Sequence, residues 1–165
     1  RCMLLDCWEA RLGFDELVER TKKEAAFKYG PTEKAVGLIV IEDKGSGISL
    51  RQVMSKRDAR TYAYNPGRAD KLQRLHMVSH LPKHGLIYLP ESEHQPGEPK
   101  TWVSPLLDQV CSFHGEGTTE HDDYLDTFTQ AMRVMQDKEL LRVTQPPLVL
   151  PRHPPGWKPE NPYAA

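Results

Sequence analysis

The chain has 165 residues, 38% hydrophobic and 27% charged, with 22 Lys plus Arg against 23 Asp plus Glu and a net charge of -1. That is the length of one domain. The charge balance excludes a strongly basic nucleic-acid coat or an acidic tail, although a basic groove and an acidic site can cancel in the sum. The longest apolar run, Val36 to Ile41, is far short of the about 20 residues that a membrane helix needs, so no membrane partner is expected. No basic-then-apolar leader opens the chain, and a first residue of Arg1 rather than Met reads as a processed or partial chain. Cys2, Cys7 and Cys111 are odd in number and lack a Cys-x-x-Cys pair, so they read as buried free thiols of a reducing compartment.

Residues 2 to 8, Cys-Met-Leu-Leu-Asp-Cys-Trp, read as a short buried strand interrupted by Asp6. A helix opens at Phe14-Asp15, with Asp15 as N-cap and Leu17, Val18, Thr21, Ala25 and Tyr29 at helical spacing, and stops at Gly30-Pro31. Residues 36 to 41 form the strongest strand, an unalternated run suited to a central position covered on both faces. Strand, helix, strand in this order predicts an α/β layer architecture. A short helix follows Gly47 through Leu50, Val53 and Met54, and residues 60 to 64 alternate as a strand ending in the turn Asn65-Pro66-Gly67. A helix from Ala69 to His80 ends at Pro82, and Leu86 to Leu89 is another short strand. Residues 90 to 101 read as a polar loop. Ser104-Pro105 starts a helix with Pro at its first position, Phe113 closes it, and a Gly115-Glu116-Gly117 turn leads to a last helix near Asp122 to Asp137.

From Thr144 onward seven prolines fall between Pro146 and Pro162, a density that continues neither a helix nor a central strand. Residues 1 to 143 are therefore read as the domain and 144 to 165 as an extended, disordered Pro-rich tail.

Two acidic clusters carry the chemistry. Glu42-Asp43-Lys44-Gly45-Ser46-Gly47 stands at the carboxyl end of the strongest strand, where sites gather in open α/β sheets. An ordinary strand-to-helix turn uses the same residue types. His121-Asp122-Asp123-Tyr124-Leu125-Asp126 heads the last helix, whose stripe is Leu125, Phe128, Met132 and Met135. Carboxylates favour a helix N-terminus, which accounts for one or two acids but less well for an acid bordering the buried face. At about 100° per residue, Asp122 lies nearest the stripe, Asp126 next, and Asp123 points away. Hard carboxylates from two distant segments suit Mg²⁺ or Mn²⁺, and a pair of such ions about 4 Å apart serves phosphodiester hydrolysis. His76, His80 and His84 have the spacing of helical zinc ligands, but Pro82 and Gly85 break that helix. No phosphate loop and no nucleophile elbow are present.

In order, Leu4-Leu5-Asp6-Cys7-Trp8-Glu9-Ala10-Arg11, Ile39-Val40-Ile41-Glu42-Asp43-Lys44-Gly45-Ser46-Gly47, Asp70-Lys71 with Arg74, Gly85-Leu86-Ile87-Tyr88-Leu89-Pro90, and His121-Asp122-Asp123 with Asp126 resemble the C-terminal nuclease domain of the large terminase subunit of tailed bacteriophages. The resemblance implies an RNase H-like fold, a mixed sheet flanked by helices. It implies an endonuclease that cuts concatemeric double-stranded viral DNA during packaging in the bacterial host cytoplasm. Partners are an ATPase motor domain, which this chain lacks, the portal and the small terminase subunit. The family's ligands map onto Glu42, Asp122 and Asp123 as catalytic and metal-holding residues, with Asp43 as a further metal contact and two Mg²⁺ or Mn²⁺ ions. Arg11, Lys44, Lys71 and Arg74 map onto DNA-facing positions, and Asp70 onto a structural or DNA-facing one. The family's first nuclease strand and its Asp belong before Cys2, so that strand is expected to be missing here and the site incomplete; Asp6 is not its equivalent. The alternatives are another RNase H-like nuclease, a resolvase or transposase core, and a non-catalytic remnant that binds DNA or a packaging partner.

Overall fold

The computed structural model describes residues 1–27, 36–56, 59–115 and 122–141. The elements in chain order are β1 (Cys2–Met3), α1 (Phe14–Ala26), β2 (Ile39–Glu42), α2 (Ser46–Ser55), β3 (Thr61–Tyr64), α3 (Lys71–Val78), α4 (His80–Lys83), β4 (Ile87–Tyr88), a 3₁₀ turn (Thr101–Val103), α5 (Ser104–Ser112) and α6 (Asp123–Asp137). The expected mixed sheet is replaced, among the described residues, by two parallel two-stranded sheets, β1 with β4 and β2 with β3. The central-strand expectation for residues 36 to 41 is corrected accordingly. β2 starts three residues later, pairs among the described residues with β3 alone, and buries only Ile41.

Several boundaries differ from the sequence reading for local reasons. The strand expected over residues 2 to 8 shrinks to β1, although Leu4 N still donates to Tyr88 O at 2.9 Å. Gly13, not Asp15, caps α1: Glu16 Oε2 accepts from Gly13 N at 2.9 Å, and Asp15 lies in the first turn, where its charge suits the helix dipole. Pro82 does not end a helix; it sits inside four-residue α4, whose first-turn N–H groups have no intrahelical partner to lose. α3 has already ended at Val78. Cys111 is exposed, whereas Cys2 and Cys7 are half-buried, so only two of the three thiols are sheltered. Gly30-Pro31, Glu116-Gly117, His121 and the Pro-rich segment from Thr144 lie outside the described residues.

Apolar side chains gather in three clusters. Val18, Ile41, Leu50 and Met54 pack where α1, β2 and α2 meet. Val78, Leu81, Leu86 and Met132 form a second, and Leu75, Phe113 and Leu125 a third. The expected stripe on α6 is present: Leu125 and Met132 are buried, and Phe128 and Met135 are half-buried against the second cluster or beside it. α6 thereby braces α3 and α5, and its polar edge is carried toward the end of β2.

Candidate functional site

Glu42 is the last residue of β2, and the ladder continues one step beyond it through Asp43 N donating to Tyr64 O at 2.8 Å. The chain then turns sharply into α2. Gly45 adopts φ +51°, a left-handed conformation that favours glycine. A Cβ on Gly47 would collide with the Glu42 carbonyl oxygen. The two glycines of the motif thus let α2 begin directly against the strand end that presents Glu42. The Glu42 carboxylate is oriented from across the fold: Oε2 accepts from Gln130 Nε2 of α6 at 3.0 Å, and Oε1 lies 3.4 Å from Lys44 Nζ. Asp43 pairs with Arg51 of α2 at 3.4 Å.

The second half of the site is built on α3 and α6. Asp70 caps α3 by accepting from Gln73 N at 2.8 Å, which assigns it a structural task. One turn along, Arg74 is buried; Nη1 donates to Ala69 O at 2.7 Å and Nη2 grips Asp126 Oδ1. Asp122 occupies the N-cap position of α6, but its side chain makes no capping bond. Its Oδ2 instead meets Lys71 Nζ at 2.5 Å, and the same ammonium lies 3.1 Å from Asp126 Oδ2. Burial works against the Lys71 charge, yet the hydrogen bonds to Asp122 and Asp126 outweigh it and hold its pKa above the ordinary lysine value. Asp123 points away from this network, is exposed and has no ion-pair partner among the described residues. It lines the wall of a cavity of about 510 Å³, together with Leu4, Cys7, Val40 and Phe128.

Glu42 and the head of α6 are therefore connected through α6 itself. Gln130 lies eight residues after Asp122, about 12 Å along the axis, and one turn, about 6 Å, after Asp126. Asp126 is the α6 acid axially nearest the Glu42 contact. Neither Asp126 nor Gln130 stands among the ligands assigned from sequence. Their signal was the four-residue spacing Asp122, Asp126, Gln130, a polar row beside the apolar stripe.

Among the described residues no three Asp, Glu, His or Cys side chains gather as a metal-holding group. The donor chemistry nonetheless fits a hard divalent ion, since Glu42, Asp122 and Asp123 offer carboxylate oxygens alone. At the head of α6 the Lys71 ammonium already supplies a positive charge to both Asp122 and Asp126. Of the DNA-facing assignments, Arg11 is exposed and Lys44 keeps its side chain 67% exposed beside Glu42, while Lys71 and Arg74 direct their charges at Asp122 and Asp126.

A family model described as the terminase RNaseH-like domain matches residues 10–133. No match was found among curated proteins or among solved structures.

Proposed function

The chain belongs to the terminase RNaseH-like domain family, and from that premise we propose that it is the nuclease domain of a phage DNA-packaging terminase, cutting concatemeric double-stranded viral DNA by phosphodiester hydrolysis. The observation that carries the reading is the Gln130–Glu42 hydrogen bond at 3.0 Å within the matched segment. It ties the strand-end acid to the helix that carries Asp122, Asp123 and Asp126.

In this reading Glu42, Asp122 and Asp123 hold Mg²⁺ or Mn²⁺, with Asp43 in support. Such ions, when bound, polarise the phosphodiester and activate the attacking water. The protein's own part is positional. Gln130 fixes the direction of the Glu42 carboxylate, and the glycine turn keeps that carboxylate at the strand end. Lys44, exposed at the rim, and Arg11 offer cations to the DNA backbone. Motor, portal and small-subunit partners belong to the same proposal, as does the host cytoplasm as the place of action.

A second reading, DNA or partner binding without catalysis, draws on the internal pairing of the acids. Asp43, Asp122 and Asp126 each already face a cation. Nicking of supercoiled plasmid in Mn²⁺ separates the two. Cleavage lost in Glu42→Gln, which keeps the side-chain shape, supports the nuclease. DNA binding without cleavage by the unaltered protein favours the second reading, and neither activity sinks both.

A further inference from the structure

Resting on the metal-site reading above, we infer that Lys71 is a built-in counter-ion of Asp122 that a divalent ion must displace. The two acids of α6 are not compensated alike. Asp126 has a cation on each oxygen, Arg74 on Oδ1 and Lys71 on Oδ2 at 3.1 Å. Among the described residues the Asp122 carboxylate has Lys71 as its one cation, at 2.5 Å, and it accepts no hydrogen bond from the N–H groups of its own helix. The two cations also differ in freedom. Arg74 is buried and anchored on the Ala69 carbonyl, whereas the Lys71 side chain stays 29% exposed on a flexible four-carbon stem.

The Arg74–Asp126 pair is thus the permanent clasp between α3 and α6, and the Lys71–Asp122 pair is the releasable one. When Lys71 lets go of Asp122 it retains Asp126, so its charge is never stranded. A hard ion approaching Asp122 meets a carboxylate already neutralised and competes with the ammonium for it. Lys71 is therefore a positioning residue: it holds the head of α6 in order without metal and weakens metal binding there.

The test is calorimetric titration of the full chain with MnCl₂. Lys71→Met removes the charge and keeps most of the side-chain volume, and Arg74–Asp126 remains to hold the helices together. Its Mn²⁺ affinity is expected to rise about two- to fivefold, roughly the worth of one partly exposed ion pair. Lys71→Arg is expected to stay near the unaltered protein, and adding Asp122→Asn is expected to abolish the gain. Circular dichroism checks folding, and Lys71→Gln carries the same comparison if Lys71→Met is unfolded. Unchanged or weaker Mn²⁺ binding on loss of the Lys71 charge overturns the inference alone, as does a gain that persists with Asp122→Asn. Absence of Mn²⁺ binding in every variant overturns the metal-site reading and this inference with it.

Discussion

At the level of single residues, the site depends on side chains that are missing as much as on those present. Gly47 carries no Cβ because the Glu42 carbonyl oxygen occupies that space. Gly47→Ala must push α2 away from the end of β2, and a contact this close to backbone cannot be relieved by a rotamer change. We expect a loss of about 1–3 kcal/mol in urea unfolding, as for other overpacked positions. Unchanged stability would mean that α2 does not abut Glu42. Arg74 makes the complementary case. Its guanidinium is buried against Asp126, so Arg74→Met leaves that carboxylate with Lys71 as its remaining cation. Breaking one side of a buried pair costs about 3–5 kcal/mol, and the partial exposure of Asp126 brings the expected loss to about 2–3 kcal/mol. Because Arg74 lies inside the fold, affinity for DNA should fall no further than the lost stability accounts for. A large drop in DNA affinity with stability intact would place its charge at the DNA instead.

Elements show which parts of the sequence speak for themselves. The helix patterns of α1, α2, α5 and α6 were legible because a 3.6-residue apolar repeat needs only local information. β2 was legible as a strand but not in its company. Whether a run such as Val36 to Ile41 has one neighbour or two depends on long-range pairing that the run itself does not encode. The candidate site drew its first residues, Glu42 and Asp122, from acids that stand at the edges of apolar patterns. The roles of Lys71, Arg74, Asp126 and Gln130 were not legible: the polar row Asp122, Asp126, Gln130 shows in the spacing, but its partners, Arg74 at a separation of 52 residues and Glu42 at 88, do not. Caps are a further blind spot. α6 ends with Glu139 at φ +54°, Glu139 N donating to Gln136 O at 2.9 Å and Leu140 N to Met135 O at 2.8 Å. These are the paired bonds of a Schellman motif, built on a residue that tolerates the left-handed region poorly. Glu139→Gly should relieve that conformation and stabilise the protein by about 0.5–1 kcal/mol, read as a rise in melting temperature. A fall would show that the Glu139 side chain contributes more than its backbone costs.

Across the whole molecule, the core is divided. The cluster of Val18, Ile41, Leu50 and Met54 belongs to α1, β2 and α2, while the other two clusters share α3 and α6. Between them lies the cavity of about 510 Å³, with Leu17 and Val40 on one wall and Leu106, Phe128 and Ala131 on the other. The cavity opens to solvent, so the side chains that line it do not pack on one another across it, and the seam contributes less cohesion than either flank. What crosses it includes the Gln130–Glu42 hydrogen bond and the Lys138 ammonium over the Tyr62 ring, 4.2 Å from its centre. Regions joined by few contacts open separately. Amide hydrogen exchange should therefore find the β2 amides, Ile41 among them, less protected than those of α6 around Met132. Gln130→Ala removes one hydrogen bond to a charged group, worth about 1.5 kcal/mol or more than tenfold in an opening equilibrium. It should accelerate exchange at Ile41 by about that factor and leave Leu125, fully buried in the third cluster, almost unaffected. If both regions instead exchange at one common rate that Gln130→Ala shifts equally, the two flanks fold as a single cooperative unit. The Glu42 end of the site would then be as rigid as the α6 end.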